Sequence, residues 1–268
     1  MPPSKVQHQE FEPPAALRDT IKCFWYDRRD YPELPSQFEV MPDGYAEIIF
    51  SFGSVSHVAD SSQQPLSSPF MVGLLSHPLL FTTQGRLEIL GIRCFPWAVF
   101  DVFGLLSSRD IVRHLEHPLT QLQTPLEEWV AAGKIEEAVA EIGRYCLDAR
   151  TRVTLDGMLV TAGAAMHDAH GILPVGRVAA SAHATVRTLE RRFKHSSGST
   201  VKDVSGLMRF EQVRNRLWLA PRSNLASLAQ EVGYADQAHL SREFKRYSGT
   251  TPAAFARAKQ WEHAERSQ

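Results

Sequence analysis

Two ten-residue segments carry the side chains best suited to chemistry, and that chemistry is recognition of a nucleic-acid duplex. Leu189-Glu190-Arg191-Arg192-Phe193-Lys194-His195-Ser196-Ser197-Gly198 and Leu240-Ser241-Arg242-Glu243-Phe244-Lys245-Arg246-Tyr247-Ser248-Gly249 match at an offset of 51. They are identical at the Leu, Arg, Phe, Lys, Ser and Gly positions, and Thr200 falls on Thr251. An internal repeat of this kind marks one supersecondary unit used twice. Helical periodicity sets Val186, Leu189 and Phe193 on one face of the first copy and Leu240, Phe244 and Tyr247 on one face of the second. The opposite faces carry Arg187, Glu190, Arg191 and Lys194 in the first copy, and Gln237, His239, Ser241, Arg242 and Lys245 in the second. Arg, Gln and Ser hydrogen-bond base edges in a major groove, and Lys and Arg neutralise phosphates. One such face is ordinarily a solvated charged face. Two with matched spacing in a basic segment point to double-stranded DNA.

The charge balance agrees. The chain as a whole carries −1, but residues 171–268 hold +8 and residues 1–170 hold −9. An acidic half joined to a basic half fits a nucleic-acid-binding module attached to something else.

The elements that must position these faces are legible nearby. Val175, Val178, Ala179 and Ala182 sit at i, i+3, i+4 and i+7, and so do Leu225, Leu228, Ala229 and Val232. Short turns follow, Ala182-His183-Ala184 and Val232-Gly233-Tyr234, and then Thr185 and Asp236, residues suited to cap a helix. Helix, tight turn and second helix make a helix-turn-helix. Between the copies Leu207, Phe210, Val213 and Leu217 stripe a helix over about 200–219, with Arg209, Arg214 and Arg216 around it. At 1.5 Å per residue it spans roughly 27 Å, comparable with the ~34 Å between successive major-groove faces.

In these residues the sequence resembles the AraC/XylS family of bacterial transcription regulators. The resemblance rests on Val232-Gly233-Tyr234-Ala235-Asp236-Gln237-Ala238-His239-Leu240-Ser241-Arg242-Glu243-Phe244-Lys245-Arg246, followed by Gly249-Thr250-Thr251-Pro252, and spans about 171–258. It implies seven helices forming two helix-turn-helix units joined by a long helix, bound in adjacent major grooves. It also implies base reading by Arg187, Glu190 and Arg191 and by Gln237, His239 and Arg242, with RNA polymerase as a further partner. His183 departs from the pattern, since the first turn commonly has glycine there. Pro42-Asp43-Gly44, Val72-Gly73 and Leu90-Gly91-Ile92-Arg93-Cys94-Phe95-Pro96 are similar to a sensor-like domain found beside this module in a subset of the family. No particular ligand comes with that likeness.

The first hundred residues read as strand and turn. Tyr45–Phe52 suits a strand after the Met41–Gly44 turn, with further short strands at Phe70–Leu75 and Leu87–Ile92 and a polar loop over Ser61–Pro69. From Pro96 the period is helical. Thr124 caps a helix with Pro125 at its first position that ends at Gly133, and helices over Lys134–Arg150 and Leu155–His167 follow. The expected fold is α+β: a β-rich, cupin-like small barrel or sandwich with strands about 20–95 and helices about 97–165, then an all-α part. The division falls at about 165–172, leaving 1–165 for effector binding or oligomerisation and 171–260 for DNA. Hydrophobic residues at 43% and charged residues at 22% are ordinary for a soluble globular chain. No apolar run spans a membrane and the start lacks the apolar core of a secretory signal, so the expected place is the cytoplasm.

Enzyme readings of the N-terminal half are weaker. His57 and His77 are 20 residues apart with no His-x-His or nearby Glu to complete a metal-ligand set, so no cofactor or metal is expected. Asp43 and Glu47 lack evidence of a shared cleft. Cys23, Cys94 and Cys146 fit buried reduced thiols, and Cys94 lacks the Pro-Cys-His setting of an alkyl-accepting repair domain. Trp25, Tyr26, Phe50, Phe52 and Trp97 either line a pocket for a small apolar effector or form core. Leu126, Trp129 and Val130 on one helix are candidate contacts for a homodimer.

Overall fold

The computed structural model describes residues 5–31, 35–59, 62–105 and 112–265. Ten strands come first: β1 (Lys5–Phe11), β2 (Ile21–Asp30), β3 (Ser36–Val40), β4 (Ala46–Ser51), β5 (Val55–Ala59), β6 (Ser62–Pro65), β7 (Phe70–Val72), β8 (Leu79–Thr83), β9 (Leu87–Cys94) and β10 (Val112–His114). They form a six-stranded sheet, β1-β2-β9-β4-β7-β10, and a four-stranded sheet, β3-β8-β5-β6. The pairings are antiparallel. The two sheets do not close on each other, so of barrel and sandwich the chain adopts the sandwich. The span expected as a polar loop at Ser61–Pro69 contains β6, an edge strand whose sequence has no apolar alternation to announce it.

Side chains alternate across a strand, and here both faces of the larger sheet are buried. Ala46, Ile48 and Phe50 of β4 and Leu90, Ile92 and Cys94 of β9 enter one core with α1 (Val99–Phe103), α2 (Gln123–Ala131) and α3 (Ile135–Thr151). Ile49, Leu87 and Ile89, with Trp25, enter the core between the sheets. Burial on both sides explains why Leu87–Cys94 reads as a nearly continuous apolar run. Trp25 lies flat on Gly91, where a Cβ would come within 2.1 Å of the ring.

The five aromatics weighed as one pocket divide among three cores. Tyr26 and Phe50 belong to the helix side with Phe52 packed against it, Trp25 to the inter-sheet side, and Trp97 to a third core. Leu126 and Val130 are buried in the chain's own core with Trp129 against it, which withdraws that helix as a docking face. Thr124 is not a cap: a 3-10 turn over Pro118–Leu122 runs straight into α2, so the helix starts at Gln123. Cys23, Cys94 and Cys146 are free and buried. Burial pushes the Cys23 thiol up to about 11 and the other two also upward, the reverse of an activated nucleophile.

The remaining helices are α4 (Gly157–Asp168), α5 (Val175–Ser181), α6 (Val186–Ser197), α7 (Val201–Leu219), α8 (Leu225–Glu231), α9 (Gln237–Ser248) and α10 (Pro252–Glu265). They share two cores. In one, Leu159, Ala162 and Met166 of α4 pack with Phe95 and Trp97 on one side and with Val178, Leu189 and Phe193 on the other. Gly163 makes this fit, because a Cβ there would sit 2.1 Å from the Trp97 ring. In the other, Phe210, Val213 and Leu217 pack with Leu228, Leu240, Phe244 and Tyr247.

Candidate nucleic-acid interface

The two repeats fold as two helix-turn-helix units, α5–α6 and α8–α9, joined by the 19-residue α7. Each element of the repeated sequence has a local reason. Thr185 Oγ1 accepts the Thr188 N–H at 3.2 Å and Asp236 Oδ1 the His239 N–H at 2.6 Å, so each recognition helix starts on a side-chain cap. Both are 12 residues long and end at a left-handed glycine, Gly198 and Gly249, each with φ 73°. One residue earlier, Ser197 and Ser248 donate back to the Phe193 and Phe244 carbonyls at 2.8 and 2.7 Å. The shared Phe, Ser and Gly are therefore core anchor, carbonyl cap and helix stop.

The turns also agree. Gly233 takes φ 75° and His183 takes φ 50°. Ala184 N–H donates to the Ala179 carbonyl at 2.9 Å and Tyr234 N–H to the Ala229 carbonyl at 2.8 Å. The histidine thus adopts the glycine geometry, and the first turn is as tight as the second. A left-handed backbone costs an L-residue about 1 kcal/mol.

The exposed faces fall where the periodicity puts them, with four exceptions. Arg187, Arg191 and Lys194 on α6 and Gln237, Arg242 and Lys245 on α9 are exposed, and Ser241 is half-buried. Glu190 is half-buried and its carboxylate accepts the Val201 N–H at 3.2 Å, so it serves the start of α7. His239 sets its ring edge-on to Tyr234, centroids 5.3 Å apart, with Glu243 at 4.0 Å. Val186, expected on the packed face, is 45% exposed at the first position of α6.

Several residues that position this interface escape a sequence reading. Arg209 of α7 donates to the Gly171 carbonyl at 2.9 Å and to Glu243 at 3.2 Å, with its guanidinium 5.1 Å from the Tyr234 ring centre. Arg214 donates to the Pro42 carbonyl at 3.1 Å, and Gly44 lies so close to α7 that a Cβ would stand 3.2 Å from Met208 Cγ. Asp43, Glu47 and Glu211 gather there with Arg93 and Arg214, Arg93 donating to Glu47 at 2.7 Å. Burial pushes all three carboxyls up; Arg93 pulls each of them back, and Arg214 does the same at Asp43 and Glu211. The sensor-like motifs Pro42-Asp43-Gly44 and Arg93 are thus where the first half sits on the connecting helix.

Residues 178–258, covering both units, match the helix-turn-helix domain family. Residues 178–258 are an AraC-type helix-turn-helix domain. That AraC-type domain makes the chain a DNA-binding transcription regulator. Residues 9–114 match a domain of unknown function, DUF6597. No curated protein matches the chain. Among solved structures, ToxT from Vibrio cholerae O395, bound to (E)-4-(8-methylnaphthalen-1-yl)but-3-enoic acid, is 9% identical with a TM-score of 0.47, covering 96% of this chain and 100% of its own. The DNA-binding domain of AdpA in complex with a target DNA is 26% identical with a TM-score of 0.37, covering 42% of this chain and 98% of its own. The xylose-binding transcription activator XylR is 20% identical with a TM-score of 0.32, covering 40% and 28%.

Among the described residues no group of three His, Cys, Asp or Glu side chains is placed to hold a metal ion. No described helix is long and apolar enough to cross a membrane.

Proposed function

We propose that the regulator reads an operator by laying α6 and α9 into successive major grooves on one face of a duplex. The observation that carries this reading is the pair of equal-length helices with matching caps and exposed basic faces at the two ends of α7. That helix, at 1.5 Å per residue, is roughly 28 Å long against a ~34 Å groove repeat. Arg191 and Arg242 occupy the same repeat position and take bidentate base contacts. Arg187, Gln237, His239 and Ser241 complete the base-facing set, Lys194 and Lys245 neutralise phosphates, and Glu190 frames the first helix from its α7 side. Residues 171–260 do this work. Residues 1–165 regulate it through a small-molecule effector or homodimerisation, RNA polymerase is the downstream partner, and the place of action is the cytoplasm. The protein has no catalytic role in this reading.

Selection from a random duplex library across a salt series tests it. Two short motifs about one helical turn apart are expected, with affinity falling steeply as salt rises. Arg191→Ala or Arg242→Ala should each cost about 1–3 kcal/mol and relax the preference at its own half of the site. An unchanged preference in either variant removes that residue from the reading set.

A further inference from the structure

We infer that Arg192 is a DNA-positioning residue, and that the Asp156 carboxylate holds its guanidinium in the free protein where a DNA phosphate holds it in the complex. The inference rests on the DNA-binding reading above and deepens it. Arg192 Nη1 donates to Asp156 Oδ2 at 2.6 Å, with the two side chains 49% and 24% exposed. Arg192 follows the base-facing Arg191, and at 100° per residue it lies on the flank of α6. A recognition helix seated in a groove turns its flanks to the phosphate backbones. Asp156 precedes α4 and lies outside the helix-turn-helix.

Arg192 and Asp156 line one cleft of about 750 Å³ together with Asp101, Arg191 and His195. The first half therefore brings two carboxylates to the edge of the first recognition face. The second unit is arranged differently: its ion-paired α9 cation, Arg246, stands 3.8 Å from Asp203 of α7, within the DNA-binding half. The counterpart of Arg192 there is Glu243, which is held by Arg209 and stays within the fold. Among the described ion pairs of the two recognition helices, the one made with a residue ahead of the helix-turn-helix units is that of Arg192.

Carboxylate and phosphate oxygens present the same acceptor to a guanidinium, so they compete for it. An ion pair this exposed is worth at most ~1 kcal/mol. A duplex, which brings a row of phosphates and displaces counterions, wins that exchange. Asp156 then weakens binding without preventing it, and it weakens the hold on the first groove more than on the second.

The test uses the full chain, an arbitrary-sequence duplex and a library-selected duplex, titrated across a salt series. Asp156→Asn removes the charge while keeping the Oδ1 acceptor that caps the Met158 N–H at 3.0 Å, since Asn caps as well as Asp. It should bind both duplexes about three- to fivefold tighter at low salt. Arg192→Gln should bind both more weakly and lower the slope of log K against log salt by about 1. In the Arg192→Gln background, Asp156→Asn should change nothing. Melting curves matching the wild type tie these shifts to the contact with DNA. A gain from Asp156→Asn that persists without Arg192 overturns the assignment. So does a wild type that binds while both variants match it. A wild type that binds no duplex at any salt overturns the DNA-binding reading itself.

Discussion

The two helix-turn-helix units have one local design and two different settings. Caps, helix length, glycine stop and buried phenylalanine coincide in α6 and α9. Their surroundings do not. The first unit shares its core with α4, Phe95 and Trp97, donates the Ser196 hydroxyl to the Trp97 carbonyl at 3.1 Å, and is held by Asp156. The second packs on α7 and α10 and is braced from within by Arg209. Under the proposed regulation, a first half that shares a core with the first unit but meets the second only at the margin, through Met41 and Leu74, would alter the distance and angle between the two. Repetition supplies two like units, and the unequal packing sets them in different surroundings.

The largest expected effect comes from removing the anchors. Phe193→Ala and Phe244→Ala each empty a fully buried site and should cost about 3–5 kcal/mol. The pair breaks the comparison if their consequences are alike. Hydrogen exchange should show Phe193→Ala loosening β9 and α4 as well as α6, whereas Phe244→Ala should leave the sheets protected. Next in size is Arg209→Ala. It leaves Glu243 and the Gly171 carbonyl without their donor, and with both charged side chains mostly buried it should cost about 2–3 kcal/mol, below the full penalty of ~3–5 for a broken buried pair. Chemical denaturation measures it, and a loss under 1 kcal/mol would leave the brace unsupported.

Acidity probes the first setting. Burial holds the His117 and His167 imidazoles below the usual 6.5, with Lys22 adding to the effect at His167. As pH falls through 6.5 the unfolded chain takes protons that these folded rings refuse, so stability is lost on the acid side. His167 lies on α4, edge-on to Phe95 at 5.4 Å. His167→Gln should flatten the slope of melting temperature against pH just below 6.5, and an unchanged slope would clear this residue. The smallest effect is a gain. His183→Gly relieves a left-handed histidine and should stabilise by about 0.5–1 kcal/mol in thermal melts, making the first turn chemically like the second.

Much of the interface was legible because it is local. Caps, turn residues, apolar stripe and exposed face all act within a dozen residues, and duplication displays them twice. What escaped is what distance or element ends decide. Arg192 and Asp156 are 36 residues apart and Arg214 and Pro42 are 172 apart, and no periodicity links such pairs. Val186 has the right spacing for the packed face but stands exposed at the first position of its helix. Glu190 has the spacing of a base reader but meets the first free N–H groups of α7, which attract a carboxylate. In the N-terminal half, strands buried on both sides lose the alternation that gives register, so the sheets were expected in outline and their pairing was not. The sensor-like motifs were seen as short matches, and only the fold shows that they meet α7.

The sharing of α4 has a practical consequence for cutting the chain. A fragment beginning at Gly171 would strip Leu159, Ala162 and Met166 from Val178, Leu189 and Phe193 and leave a bare apolar surface beside the first reading head. A protease nick between α4 and α5 would do the same without removing a single DNA-facing residue. Fragments meant to stay soluble should begin ahead of Asp156 and carry α4 with them.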